Sequence, residues 1–196
     1  MKVSRFSARF LSYNATVKIM VKIVFTFLIG LILLPNQVLA ETVYQQPEDF
    51  IAQAFLGDTP KPNTLWLTKA QKQTVEDILQ HRYSRLRVRY WQQQQQSVWI
   101  LEEIGKEAPI TVGLHIKDQR LQQVKVLIYR ESRGDEVTQE FFTQQFIDAQ
   151  LLNDNKLDRH IDGITGATLS VRALTKLSRM ALWLDSQIGS VARLEK

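Results

Sequence analysis

Apolar residues recur every three or four positions through Val171, Leu174, Leu177, Ala181, Leu184 and Ile188. That spacing gathers them on one stripe, so a long amphipathic helix is predicted over Ser170–Ile188. Upstream the period shortens to two. Arg85–Gln92 alternates with Leu86, Val88 and Tyr90 on one side, and Ser97–Ile104, Ile110–Ile116 and Leu121–Tyr129 read as three further strands. The five-glutamine run Gln92–Gln96 is read as a hairpin connection, and Lys117-Asp118-Gln119-Arg120 as a tight turn. Two helices are predicted before the strands. One opens at Gln46-Pro47-Glu48-Asp49 and closes at Gly57. The other follows the capping box Thr68-Lys69-Ala70-Gln71 and carries Val75, Ile78 and Leu79. Asp58–Asn63 between them reads as a linker. Thr138–Phe146 reads as a short helix presenting Phe141, Phe142 and Phe146, and Leu151–Asp162 as polar loop. This order predicts an α+β fold: an antiparallel sheet with helices packed on one face and a long C-terminal helix.

The front of the chain departs from this pattern. Residues 1–40 hold Lys2, Arg5, Arg9, Lys18 and Lys22 and no acid, then an apolar run from Ile23 to Leu34. Pro35-Asn36 breaks the run, and Val38-Leu39-Ala40 places small residues where a signal peptidase cuts. This is the order of a secretory signal cleaved after Ala40, with a periplasmic mature chain starting at Glu41. The alternative is a membrane anchor, for which the run falls short of the roughly 20 residues of a span. Met20 heads a leader of more ordinary length.

Charge changes meaning once the leader is set aside. The chain has 25 Lys+Arg against 20 Asp+Glu. The leader holds five of the basic residues, leaving 20 and 20, so the argument for a nucleic-acid partner goes with it. Arg82, Arg85, Arg87 and Arg89, interleaved with Tyr83 and Tyr90, read as a solvated strand face or a docking patch for an acidic partner. Cysteine is absent, which removes disulfides, thiol chemistry and iron–sulfur ligation; redox activity would need a cofactor held without sulfur. His81, His115 and His160 are too scattered for a metal site, and no serine lies in a nucleophile elbow.

The densest chemistry lies in Asp162-Gly163-Ile164-Thr165-Gly166-Ala167-Thr168-Leu169-Ser170. A turn of small residues runs straight into the long helix. Gly166 lacks a Cβ, so backbone can approach a ligand there. The first N–H groups of the helix are unpaired and suit an anion, and Thr168 presents a hydroxyl at the same point. Alternatively, Thr168 or Ser170 serves only as the helix N-cap.

This string resembles the flavinylation signature of the bacterial FMN-binding domain family, which includes the C subunit of the sodium-pumping NADH:quinone oxidoreductase and the G subunit of the Rnf complex. Pro109–Ile116 and Leu121–Tyr129, ending in Glu131-Ser132-Arg133-Gly134, resemble the strand pair and turn of the same family. The family usually has Pro at Arg133 and Gly at Glu136. The resemblance covers about residues 97–188.

It implies FMN joined by a phosphoester to Thr168, attached by a Mg-dependent flavin transferase with FAD as donor. Asp162, Gly163, Ile164, Thr165, Gly166, Ala167, Leu169 and Ser170 would form the attachment loop, with Glu131 and Ser132 at the flavin. The implied organisation is a signal over 1–40, an N-terminal helical segment and first strand over 41–96, and an FMN-binding domain over 97–196. The implied function is periplasmic electron transfer with a membrane or periplasmic redox partner. The chain would be a carrier and a substrate of the transferase rather than a stand-alone enzyme. A flavin-binding sensor or assembly module outside the cytoplasm is the second reading.

Overall fold

Strand alternation and helix periodicity converge on one sheet. The computed structural model describes Lys22 and residues 41–194; the predicted leader, Lys22 apart, lies outside the described residues. Six antiparallel strands are present: β1 (Thr42–Val43), β2 (Pro62–Trp66), β3 (Arg87–Gln93), β4 (Gln96–Ile104), β5 (Pro109–Lys117) and β6 (Arg120–Tyr129). Their spatial order is β1-β6-β5-β4-β3-β2. β3 to β6 form a meander. Gln94–Gln95 turns β3 into β4, so the glutamine run supplies both strand ends and the turn. Asp118 and Gln119 turn β5 into β6 with φ of 52° and 61°, the left-handed pair that a two-residue hairpin requires.

The helices are α1 (Pro47–Ala54), α2 (Lys69–Leu79), the single turn α3 (Glu140–Thr143) and the 27-residue α4 (Thr168–Leu194). The capping box of α2 is complete: Thr68 Oγ1 accepts from Gln71 N–H, and the Gln71 side chain accepts from Thr68 N–H. α2 and α4 pack on one sheet face. There Val171, Leu174, Leu177, Ala181, Leu184 and Ile188 are buried against Val88, Trp99, Leu101, Val112, Leu114 and Val126. The fold class is the α+β arrangement expected, with α4 crossing β4, β5 and β6. α1 adds a smaller second layer on the opposite face. Its Phe50, Ile51 and Phe55 cover Val98 and Leu127. A Cβ at Gly113 would lie 2.7 Å from the Phe50 ring, so the strand admits no side chain there.

Two segments differ from the sequence reading. The end of the Asp58–Asn63 linker enters β2, which runs to Trp66. Pro62 begins the strand at the sheet edge, where a missing N–H costs no ladder bond. Thr138–Phe146 is not one helix but 3₁₀ turns at Asp135–Thr138 and Gln144–Phe146 flanking α3. The extended backbone of Gln139 (φ −76°, ψ 148°) interrupts it. Phe142 and Phe146 meet edge to face in the core at 5.6 Å between centroids, whereas Phe141 is exposed.

One buried polar chain crosses the α4–sheet interface. Trp99 Nε1–H donates to Ser97 Oγ at 2.8 Å, so the Ser97 hydroxyl donates onward to Asp185 on α4; the Gln119 amide also donates to Asp185. Burial pushes the Asp185 carboxyl up to about 6, against the two donors. A proton therefore binds the folded state more tightly than the unfolded one. This contribution to stability is full below pH 4 and lost as pH rises to about 6. A tenfold difference in proton affinity is worth about 1.4 kcal/mol, so the loss is roughly 3 kcal/mol. Asp185→Asn should remove that fall. Chemical denaturation at pH 4, 5, 6 and 7 checks it: wild type minus variant must decline across the window, and a flat difference refutes the assignment.

Candidate functional site

α4 starts at Thr168 because the chain reaches it through a left-handed residue. Gly166 has φ +87°, a conformation glycine adopts freely, and space beside its Cα is open. Ala167 N–H bonds Ile164 O at 3.0 Å, and Val171 N–H bonds Ala167 O at 2.9 Å. Ala167 thus holds the capping position, and its methyl offers no oxygen to the helix end. Thr168 is the first helical residue rather than the cap. The N–H groups of Thr168, Leu169 and Ser170 precede the first residue with an intrahelical acceptor. Among the described residues no group accepts from them, which leaves an electropositive helix end.

The three hydroxyls of the loop have different surroundings. Ser170 is buried and bonds Tyr129 Oη at 3.1 Å. Thr165 is exposed one residue before the left-handed turn. Thr168 is exposed on the helix itself, and its hydroxyl makes no hydrogen bond among the described residues. Asp162 and Gly163 are exposed, Ile164 is half-buried against the core and Leu169 faces outward. Asp162 N–H donates to Gln145 Oε1 at 2.7 Å, which ties the loop to the 3₁₀ turn Gln144–Phe146.

The turn after β6 packs on this helix start. Gly134 has φ +85°, and a Cβ there would lie 3.2 Å from Ala167 Cβ. Tyr129 Oη donates to Arg133 O at 2.7 Å and meets Ser170 on its other side. Burial raises the pKa of Tyr129, which keeps the phenol neutral. Two segments more than 30 residues apart in sequence are thereby joined through Gly134–Ala167 and Tyr129–Ser170.

Glu131 holds a neighbouring turn. Its Oε1 accepts the N–H groups of Lys106, Glu107 (2.8 Å) and Ala108 (3.0 Å), pinning the turn between β4 and β5. Partial burial pushes its pKa up, but the three N–H donors and the Lys106 charge outweigh this and leave it below the usual carboxylate range. Neither Arg130 nor Arg133 pairs with it; Arg130 pairs with Glu41 at 3.1 Å. Ser132, next in the chain, is exposed. Glu131→Ala should free the 105–108 turn, raise amide exchange there and cost about 1 kcal/mol, since water reaches these amides. Flavin uptake should be unchanged. Loss of uptake with an intact fold would instead place Glu131 at the cofactor.

The histidines do not converge. His81 Nε2 contacts both Glu103 oxygens at 2.9 Å, with Lys176 Nζ 3.6 Å from the same carboxylate. His115 bonds Gln96, and His160 lies 3.7 Å from Asp162 on the exposed loop. The Glu103 cluster gave no sequence signal, because its members come from β4, α4 and the segment after α2.

Residues 105–182 match the family model of the FMN-binding domain. The chain carries an FMN-binding domain. The match begins at the turn before β5, includes the Glu131–Gly134 turn and ends within α4, so it encloses the joined segments around Thr168. Strands β1–β4 precede the matched part of the FMN-binding domain yet belong to the same sheet. No curated protein matches the chain.

Proposed function

We propose that this protein is a periplasmic electron-transfer flavoprotein with FMN linked through a phosphoester to Thr168. One observation carries the reading. Of the three loop hydroxyls, Thr168 alone combines exposure, freedom from hydrogen bonds and a place at the start of a 27-residue helix. The residues present fit the group. Orphan N–H groups at 168–170 suit a phosphate, the open space beside Gly166 admits it, and the helix dipole favours its charge. Arg172, one turn further along α4 and exposed, lies on the same side as Thr168. Bound flavin supplies the electron chemistry. The chain's own residues hold the attachment point still: Ala167 against Gly134, and Ser170 against Tyr129.

Attachment is the work of a separate Mg-dependent flavin transferase. It joins Thr168 Oγ1 to the FMN phosphorus of FAD, with AMP leaving and the hydroxyl proton released. The basic, apolar, Ala-ending leader supports export and cleavage before Glu41. A tethered cofactor suits an exported domain, because it cannot dissociate. The electron partner is a membrane or periplasmic redox protein. The even balance of charge after the leader argues against a nucleic-acid role.

Intact mass of the exported protein, co-expressed with a flavin transferase, tests the reading. The expected species begins at Glu41 and exceeds the polypeptide mass by FMN less one water. A leader still attached overturns export. A chain that takes up no flavin beside an active transferase overturns attachment and favours the sensor or assembly reading.

A further inference from the structure

α1 covers the outer sheet face over β4, β5 and β6, touches β3 at Trp91, and leaves Trp66 of β2 and Leu86 before β3 exposed. A groove of about 940 Å³ lies there, between α1 and the strands. Its floor follows from strand register. Trp66 pairs with Arg87, Thr64 with Arg89 and Pro62 with Trp91. Residues two apart share a face, so Arg87, Arg89 and Trp91 all point into the groove while Val88 faces the core. Leu86 and Trp66 are 60% and 63% exposed, large values for apolar side chains of this size.

Of the three guanidiniums in the lining, Arg85 alone has an acidic partner among the described residues. Arg85 is engaged by Glu102 at 3.0 Å. Arg87 lies over the Trp66 ring at 5.6 Å, and among the described residues neither Arg87 nor Arg89 has an acidic side chain within ion-pair distance. Glu48 is the acidic residue in the lining. Two free guanidiniums on a floor with apolar walls concentrate positive potential where an anion can sit. Their pitch carries information. Residues i and i+2 of a strand are about 6.6 Å apart, the same spacing as two carboxylates at i and i+2 of another extended chain.

We propose that this groove binds an extended acidic segment of a partner protein. Two carboxylates two residues apart pair with Arg87 and Arg89, and flanking apolar side chains rest on Trp66 and Trp91. Guanidinium–carboxylate pairing supplies the specificity, and the indoles supply apolar contact. The chain's own leader is excluded as occupant by charge, since it holds five basic residues and no acid. Thr168 is not among the lining residues, so the groove stands apart from flavin attachment.

The probe is the peptide acetyl-Leu-Thr-Glu-Thr-Glu-Thr-Leu-amide, whose leucines lie two residues from the glutamates and so share their face, titrated into the ¹⁵N-labelled full chain. The indole N–H signals of Trp66 and Trp91 should shift saturably, and those of Trp99 and Trp183 should not. Binding should weaken with salt, and fall at least tenfold when both glutamates of the peptide become glutamine or when the protein carries Arg87→Gln with Arg89→Gln. Equal affinity for the glutamine peptide overturns the proposal, as does full binding by the double variant. If the double variant melts early, the two peptides on wild-type protein decide. Tighter occupancy by 1-naphthalenesulfonate than by the peptide would make the groove a small-anion site and overturn the peptide. A concentration-dependent dimer dissolved by the double substitution would replace the partner by a second copy.

Discussion

Thr168→Val should abolish covalent flavin and leave the melting temperature within a degree or two of the parent, about the spread of a neutral surface change. Valine keeps the shape of threonine and deletes only the nucleophilic oxygen. The side chain is exposed and its hydroxyl bonds nothing, so the fold loses no contact. The neighbouring hydroxyls give the contrast. Thr165→Val should lower modification less, because that residue precedes the turn and borders the site. Ser170→Ala should cost about 1 kcal/mol through the lost Tyr129 bond, with the flavin still on Thr168. In-gel fluorescence and peptide mapping of the three variants check this. Flavin retained covalently on Thr168→Val, or mapped to Thr165 or Ser170, sinks the assignment.

Leu177→Asp should be the most destabilising single change in α4. Leu177 is 1% exposed in the middle of the stripe that faces the sheet. The substitution removes apolar burial and places a carboxylate within the hydrophobic cluster. It must either remain charged without a partner or bind a proton at neutral pH. Core leucine truncation alone costs about 2–5 kcal/mol, and the buried carboxyl adds to that. With about 2–4 °C lost per kcal/mol at this chain length, the melting temperature should drop by more than about 10 °C. Leu177→Met, which keeps volume and polarity, should lose less than about 1.5 kcal/mol. A Leu177→Asp protein that melts with the parent would mean that α4 does not seal the core through this face.

The reach of the sequence differs from element to element. Thr68 and Gln71 announce their helix because the capping bonds are made within four residues. The α4 stripe is legible because burial on one side of a helix repeats every 3.6 residues. β2 escaped because two prolines and polar neighbours mask a five-residue edge strand with no buried side chain. The 138–146 segment read as one helix because its phenylalanines have helical spacing, while the break at Gln139 is a backbone event with no residue signature.

At the candidate site the division is sharper. The string Asp162–Ser170, by itself, determined a turn into a helix with a hydroxyl at the junction, since glycine, small residues and a following apolar period act locally. The resemblance had already singled out Thr168, and the tertiary contacts add the physical contrast among the hydroxyls. Ser170 is withdrawn by Tyr129, a residue 41 positions away, and Ala167 takes the cap position that Thr168 or Ser170 was equally suited to hold. Glu131 shows the same limit. It bonds amides 23–25 residues upstream, and a backbone N–H carries no mark in the sequence of what will accept it. Arg87 and Arg89 were legible as an exposed strand face, but the groove around them is formed by α1 walling one side of β2 and β3. Periodicity and turn chemistry are written in neighbouring residues; which distant groups meet depends on strand register and layer packing, and these are decided by the fold as a whole.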